Sequence, residues 1–202
     1  MYKYLSEAIV TETVINKSSF LAHLFPVTSK TEIDEILNKY KTVDHPKATH
    51  YCYAYVLNDN KIQKYSDDGE PAKTAGLPIL DVLLKNKIDD CLALVVRYYG
   101  GIKLGAGGLT RAYRNAVASA VQTAKLIKKV MTPMYFLRVE YSLNDQLNNM
   151  LKNRAVICKH DFKEKVEFSF YTFDSQLIEQ ISELIGGEKP QQLENIKVEI
   201  PS

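Results

Sequence analysis

The chain has 202 residues, 46% of them hydrophobic and 25% charged, which is typical of soluble globular proteins and allows one large domain or two small ones. No apolar run is long enough to cross a bilayer, and the first residues lack the features of a secretory signal. The three cysteines are scattered and form no CxxC pair. We therefore expect a cytoplasmic protein with no metal site, no cofactor and no membrane partner.

The formal net charge of +2 is distributed unevenly. Residues 1–131 hold 18 Lys and Arg against 13 Asp and Glu, whereas residues 132–202 hold 8 against 11. No acidic residue lies between Asp90 and Glu140. This acid-free segment contains eight cations: Arg97, Lys103, Arg111, Arg114, Lys125, Lys128, Lys129 and Arg138. The pattern predicts a positive surface, with cations that are merely spread around a helix as the alternative.

The first half of the chain alternates strand and helix patterns. Residues 4–25 predict two strands with a break near Asn16, and Ser29 with Glu32 forms a capping box before an amphipathic helix. "YCYAYVL" and "KIQKYS" flank "NDN", which is typical of a hairpin. Then follow a short helix, a buried strand and a long helix that is predicted to start at Leu109: "LPILDVLLKN", "CLALVVRYY" and "LTRAYRNAVASAVQTAKLI".

Thr132–Pro133 breaks this pattern, so we predict domains at 1–131 and 132–202. The second stretch has the element order β-α-β-β-α-β of ferredoxin-like domains. Its last helix, 174–185, is predicted to start after Asp174 as N-cap and to end at Gly186.

The segment "RYYGGIKLGAGGLTRAYRNA", residues 97–116, holds five of the nine glycines and four cations but no carboxylate. A glycine-rich loop between a buried strand and a helix directs backbone N–H groups at an anion. The phosphate-loop and dinucleotide patterns both fail, because Ala106 follows Gly105 and Thr110 occupies the last glycine position. The predicted ligand-binding residues are Arg97, Gly100, Gly101, Lys103, Gly105, Gly107, Gly108, Arg111 and Arg114.

A second polar segment, "SDDGEP", places Asp67, Asp68 and Glu70 within four residues. Such carboxylates could hold a divalent cation or act as an acid/base pair, but no further ligand set accompanies them. The favoured interpretation is a turn in which Asp68 caps backbone N–H groups and Glu70 pairs with an arginine, Arg97 or Arg111.

Three other residues are predicted to support the site. His50 and Cys52 are unsuited to a nucleophile pair, because residues two apart on a strand do not face each other, so His50 is interpreted as structural. Tyr98, Tyr99 and Tyr113 interleave with arginines, an arrangement that can stack on bases while the cations meet phosphates, and Tyr98 and Tyr113 are placed among the supporting residues. No RNA-recognition signature is present.

The motifs "KATHYCYAYVL", "SDDGEPAKTAGLPIL" and "VVRYYGGIKLGAGGLTRAY" resemble the IMPACT family, and the length resembles its two-domain bacterial YigZ-type members. The resemblance implies an α+β fold: a ribosomal-protein-like βαβ domain, as in domain IV of elongation factor G, followed by a ferredoxin-like βαββαβ domain. It also implies a role in translational control, since eukaryotic relatives compete for an activator of an initiation-factor kinase.

The leading hypothesis is therefore a non-enzymatic, translation-associated protein that binds RNA or the ribosome through a cationic glycine-loop surface. The alternative is a hydrolase or transferase that acts on a small phosphorylated or anionic substrate. A compact pocket between residues 66–76 and 97–111 that holds a carboxylate with a strongly shifted pKa would favour this enzyme, and a flat, open face would favour a macromolecule. A third hypothesis is a module that binds a protein partner in translation control.

Overall fold

The computed structural model describes all 202 residues. The chain divides into two compact units, Met1–Lys129 with Ile200–Ser202, and Val130–Glu199. Each unit has its own cluster of buried hydrophobic side chains. None of the helices combines the length and the apolar character that crossing a membrane requires.

The first unit is built on a five-stranded antiparallel sheet. After the short strand β1 (Tyr4–Leu5), the sheet is formed by β2 (Ile9–Ile15), β3 (Ser18–Pro26), β4 (His50–Leu57), β5 (Ile62–Ser66) and β6 (Cys91–Tyr98). Their order is β2-β3-β6-β4-β5. The predicted strands, hairpin and buried strand are confirmed. The turn between β2 and β3 contains Asn16 and Lys17, both with positive φ.

Helices cover both faces of this sheet. Helix α1 (Lys30–Lys39) packs on one face, and α2 (Gly76–Lys85) and α3 (Gly105–Thr123) pack on the other. The predicted capping box of α1 is confirmed, because the Ser29 hydroxyl accepts from the Glu32 N–H and the Glu32 carboxylate accepts from the Ser29 N–H. A short π-helical turn, Tyr40–Asp44, continues α1.

Helix α3 starts earlier than the sequence predicted. Its first residue is Gly105 rather than Leu109, so the last three glycines of the predicted loop form the first turn of the helix. The helix is held in place by its small inner face, since Ala112, Ala116 and Ala120 are buried against the sheet. This packing outweighs the low helix propensity of glycine.

The second unit has the ferredoxin-like order. It contains most of β7 (Leu126–Val139), followed by α4 (Asn144–Leu151), β8 (Val156–Phe162), β9 (Val166–Tyr171), α5 (Ser175–Leu184) and β10 (Gln191–Pro201). In the sheet, β7 lies between β10 and β9, and β8 is at the edge beside β9. Asp174 caps α5 as predicted, since its carboxylate accepts from two backbone N–H groups.

The sequence break at Thr132–Pro133 does not interrupt the chain direction. Strand β7 runs through it, although we predicted a new strand only after Pro133. Pairing of β7 with β1 ends at Ile127 and its pairing with β9 begins at Met134, so Pro133 lies between the two ladders. Neither of these two ladders needs the missing N–H group of the proline, and β7 also pairs with β10 along its other edge.

Candidate anion-binding site

In the acidic segment, SDDGEP at residues 66–71, carboxylates accept hydrogen bonds from backbone N–H groups. One oxygen of Asp67 accepts from the N–H groups of Ala75 (3.0 Å) and Gly76 (2.8 Å), and the other accepts from Lys73 N–H (2.8 Å). Asp67 therefore satisfies backbone donors at the start of α2, where a negative charge also complements the helix dipole.

Asp68 joins the same segment to β4 and α1. Its carboxylate accepts from Tyr51 N–H at 2.7 Å and from the Lys41 ammonium at 2.7 Å. No group of three His, Cys, Asp or Glu side chains in the structure is placed to hold a metal ion. The carboxylate that caps the backbone at this turn is therefore Asp67 rather than the predicted Asp68, which accepts from one backbone N–H group, in β4.

Glu70 and Arg97 form a buried ion pair between the acidic segment and β6. Arg97 is 4% exposed and Glu70 is 9% exposed. The same Glu70 oxygen accepts from Tyr113 Oη at 2.7 Å, and the Arg97 guanidinium also approaches Ser18 Oγ at 3.4 Å. The predicted pairing of Glu70 with an arginine is confirmed, with Arg97 as the partner, but Arg97 does not contribute an unpaired surface cation.

Burial sets the protonation of two neighbouring groups. Desolvation raises the pKa of the Tyr113 hydroxyl and of the Cys52 thiol above their ordinary values. The Cys52 thiol contacts Tyr113 Oη at 3.3 Å. Because the thiolate is the reactive form, a neutral buried Cys52 agrees with the interpretation that it is no nucleophile.

His50 has a defined tautomer in its neutral form. Its Nδ1 lies 2.9 Å from the carbonyl oxygen of Asp68, which can only accept, so Nδ1 carries the proton. Its Nε2 lies 3.9 Å from Glu70 Oε2. His50 therefore links the acidic segment to β4, as expected for a structural histidine, and still has one ring nitrogen available.

The five glycines of residues 97–116 have different roles. A Cβ atom at Gly100 would overlap the backbone of Lys17, so this position requires glycine for close packing. Gly101 and Gly105 have positive φ. Gly107 and Gly108 lie in the first turn of α3, which has no side-chain cap and no acidic residue. The first N–H groups of α3 are therefore available to an acceptor.

The cations of the acid-free segment are mostly paired, contrary to the prediction of an unanswered positive surface. Carboxylates from other parts of the chain lie within 4.0 Å of five of the eight: Arg97, Arg114, Lys125, Lys129 and Arg138. The sequence could not show this because the partners are distant in the chain. Lys103 and Arg111 are exposed and have no carboxylate within that distance.

A cavity of about 460 Å³ lies between the acidic segment and the start of α3. Among the predicted ligand-binding residues, Arg97, Lys103 and Gly105 line it, together with the supporting residues His50 and Glu70. The other predicted ligand-binding residues, Gly100, Gly101, Gly107, Gly108, Arg111 and Arg114, are not among the lining residues. An open cavity thus lies at the place for which the sequence analysis left a compact pocket and a flat face as alternatives.

Tyr98 lies away from this cavity. Strand alternation directs Arg97 and Tyr99 to the face of α3, whereas Tyr98 points to the face of α1 and its hydroxyl lies 2.9 Å from His45 Nδ1. Tyr99, which the sequence analysis named among the stacking tyrosines but not among the supporting residues, lines the cavity instead, as do Thr49, Leu104 and Ala106. Tyr99 directly follows β6, and continuing the strand's period of two places it on the same face as Arg97.

The comparisons with known proteins agree with these features. A family model described as the Impact N-terminal domain matches residues 16–121. The chain is 38% identical over 192 residues to "IMPACT family member YvyE" of Bacillus subtilis, covering 93% of this chain and 88% of that protein. It is 39% identical over 130 residues to "IMPACT family member YigZ" of Escherichia coli, covering 63% of each.

A solved structure extends the similarity to both units. "Crystal structure of an hypothetical protein" aligns with a TM-score of 0.61 and 28% identity over 96% of both chains. The family model covers four of the five strands of the first sheet (β3 to β6), the acidic segment and most of α3, so the cavity lies wholly inside the matched region. With the domain match and a relative similar over nearly its whole length, this chain belongs to the IMPACT family.

Proposed function

We propose that this protein acts in translational control as a non-enzymatic protein that binds RNA or the ribosome. Membership of the IMPACT family supports the role in translation. We choose RNA or the ribosome as the ligand because of two exposed cations, Lys103 and Arg111, that have no carboxylate partner. Both lie beside the uncapped first turn of α3. Cations and helix N-termini are the groups that contact nucleic-acid phosphates.

The test measures binding of ribosomal RNA and of ribosomes as a function of salt. Lys103→Ala and Arg111→Ala should each weaken binding and lower the magnitude of the salt slope by about 1, because each removes one phosphate contact. Lys61→Ala is the matched control, since Lys61 is an exposed lysine in the β4–β5 hairpin without an ion pair. Unchanged slopes in both variants would contradict RNA phosphate as the ligand.

A capture experiment separates RNA from protein partners. The protein should retain ribosomal components from a lysate, and treatment with nuclease should release them if RNA carries the contact. A partner that stays bound after nuclease treatment and at high salt would favour the hypothesis of a protein-binding module instead.

The cavity favours a second candidate function, an enzyme that acts on a small anionic or phosphorylated substrate. Its volume of about 460 Å³ is in the range of small-molecule sites, and His50 Nε2 lies at its lining beside Glu70. A purified sample that releases phosphate from a panel of phosphorylated metabolites, and loses this activity in His50→Gln, would support this candidate. A panel without turnover would contradict it.

A further inference from the structure

We propose that the cavity beside α3 binds a terminal phosphate monoester, specifically the phosphate of a nucleoside monophosphate, either free or at the end of an RNA strand. This inference rests on the proposed function where the source is RNA, and it names the part of the ligand that enters the cavity. The surface cations then contact the rest of the strand.

The first observation is the start of α3 itself. Leu104, Gly105 and Ala106 line the cavity, and Leu104 occupies the N-cap position without a side-chain hydrogen bond. The first N–H groups of a 19-residue helix therefore face a cavity with no acceptor of their own, and the helix dipole favours a negative charge there.

The second observation is independent of the helix. Arg97 lines the same cavity, its side chain is 5% exposed, and its Nε atom is buried without a hydrogen-bond partner. A buried guanidinium N–H without an acceptor is costly, so an acceptor is expected at this position in the ligand-bound protein. A phosphate oxygen supplies one when the Arg97 side chain shifts to turn this solvent-inaccessible N–H towards the cavity.

The charges of the lining favour an anion. Arg97 and Glu70 neutralise each other, and one oxygen of Glu70 already accepts from Arg97 and from Tyr113. The exposed Lys103 has no carboxylate within 4.0 Å, so it is the uncompensated charge of the lining. Together with the helix N-terminus, it suits a dianion better than a neutral group.

The number of free oxygens favours a terminal phosphate over an internal one. A monoester presents three free oxygens and a second negative charge, whereas an internal diester presents two free oxygens and one charge, so the monoester can accept from more of the N–H groups at this site. The cavity is larger than one phosphate, and it is also lined by the ring of Tyr99, which is 45% exposed. Aromatic rings stack on bases, so Tyr99 offers a surface for the attached nucleoside.

The test compares matched short RNA oligonucleotides with and without a 5′-phosphate, and a second pair with and without a 3′-phosphate, by fluorescence titration. We expect a terminal phosphate at one end to tighten binding about tenfold, as one or two charge-assisted hydrogen bonds would. Adenosine monophosphate should compete for the same site, and adenosine should not.

Ala106→Glu is the diagnostic variant, since it places a carboxylate at the cavity while an acidic residue in a first helical turn leaves folding intact. It should abolish the preference for the phosphorylated oligonucleotide, and Lys61→Gln should keep it. Thermal unfolding confirms that both variants are folded.

The outcomes separate this inference from the proposed function. Binding of both members of each pair with equal affinity overturns the terminal phosphate and leaves the RNA-binding proposal intact. Binding of adenosine monophosphate without binding of any oligonucleotide supports the cavity and overturns RNA as its source. A preference that survives Ala106→Glu overturns the location of the site.

Discussion

The two faces of the first sheet differ in the charge state of their buried ionisable side chains. On the face of α2 and α3, the buried charge of Arg97 is paired with Glu70 beside a cavity. On the face of α1, burial lowers the pKa of His23 to about 4, with a smaller contribution from His45. His23 has Tyr40 Oη 3.2 Å from Nδ1, but its Nε2 has no partner. One face thus keeps a paired charge next to a cavity, and the other excludes charge from its core.

Removing Glu70 should have the largest effect. Glu70→Leu leaves the Arg97 guanidinium buried without its carboxylate, which we expect to lower the free energy of unfolding by about 3–5 kcal/mol. Urea denaturation measures the change. If the variant lost less than about 1 kcal/mol, the paired-charge description of this face would be wrong.

The double variant Glu70→Leu with Arg97→Met is the matched control. It replaces both charges by apolar groups and should regain most of the lost stability, since the cost arises from the charge that is left alone.

On the α1 face, the buried His23 is expected to make the free energy of unfolding depend on pH. In the unfolded chain His23 takes up a proton below its ordinary pKa of 6.5, whereas the folded protein resists it down to about pH 4. Stability therefore falls as the pH drops from 6.5 towards 4, by up to about 3 kcal/mol from this residue. Unfolding free energies at pH 7, 5.5 and 4 measure the loss.

His23→Phe should flatten this dependence, because a phenyl ring keeps the aromatic packing and has no proton to bind. Equal pH profiles for the variant and the original protein would show that the α1 face does not exclude charge.

A substitution of Asp67 tests whether its hydrogen bonds to the backbone hold the acidic segment in place beside the cavity. Asp67→Ala removes the acceptor of three backbone N–H groups and should cost about 1–2 kcal/mol in urea denaturation, as for the loss of a strong helix cap. Glu35 is an exposed residue of α1 whose carboxylate makes no ion pair or hydrogen bond. Glu35→Ala should therefore change the free energy of unfolding by less than about 0.5 kcal/mol. Equal effects of the two variants would contradict the capping role.

The smallest predicted effect has the opposite sign. Gly107→Ala should raise the free energy of unfolding by about 0.5–1 kcal/mol, because the new Cβ would meet only Arg111 Nη1 at 3.7 Å and alanine is the better helix former. Gly100→Ala should destabilise the protein, since its Cβ would overlap Lys17. Thermal denaturation of both distinguishes a glycine needed for packing from one that folding does not need.

The sequence predicted local structure better than it predicted the site. The capping box at Ser29 and the N-cap at Asp174 depend on neighbours along the chain, so they could be identified directly. The start of α3 was wrong by four residues, because the burial of Ala112 and Ala116 against the sheet outweighs the glycines.

The electrostatics of the site depended on long-range contacts. The pairing of Glu70 with Arg97 was foreseen as one of two possibilities, but the contact of Arg114 with Asp81 was not. The cations without a carboxylate partner are therefore Lys103, Arg111 and the half-buried Lys128, of which only Lys103 and Arg111 are exposed. The cavity could be seen only once the acidic segment and α3 were placed together.

The last three residues of the chain, Ile200–Ser202, return to the first unit. The chain leaves the first unit after Lys129 and re-enters it at Ile200, and the N–H group of Ser202 donates to the Leu126 carbonyl at 3.0 Å. Both crossing points thus lie on neighbouring backbone segments of the first unit. A gene in which a short turn replaces residues 130–199 should therefore encode a self-sufficient polypeptide, and a foreign module with adjacent ends could be grafted in its place.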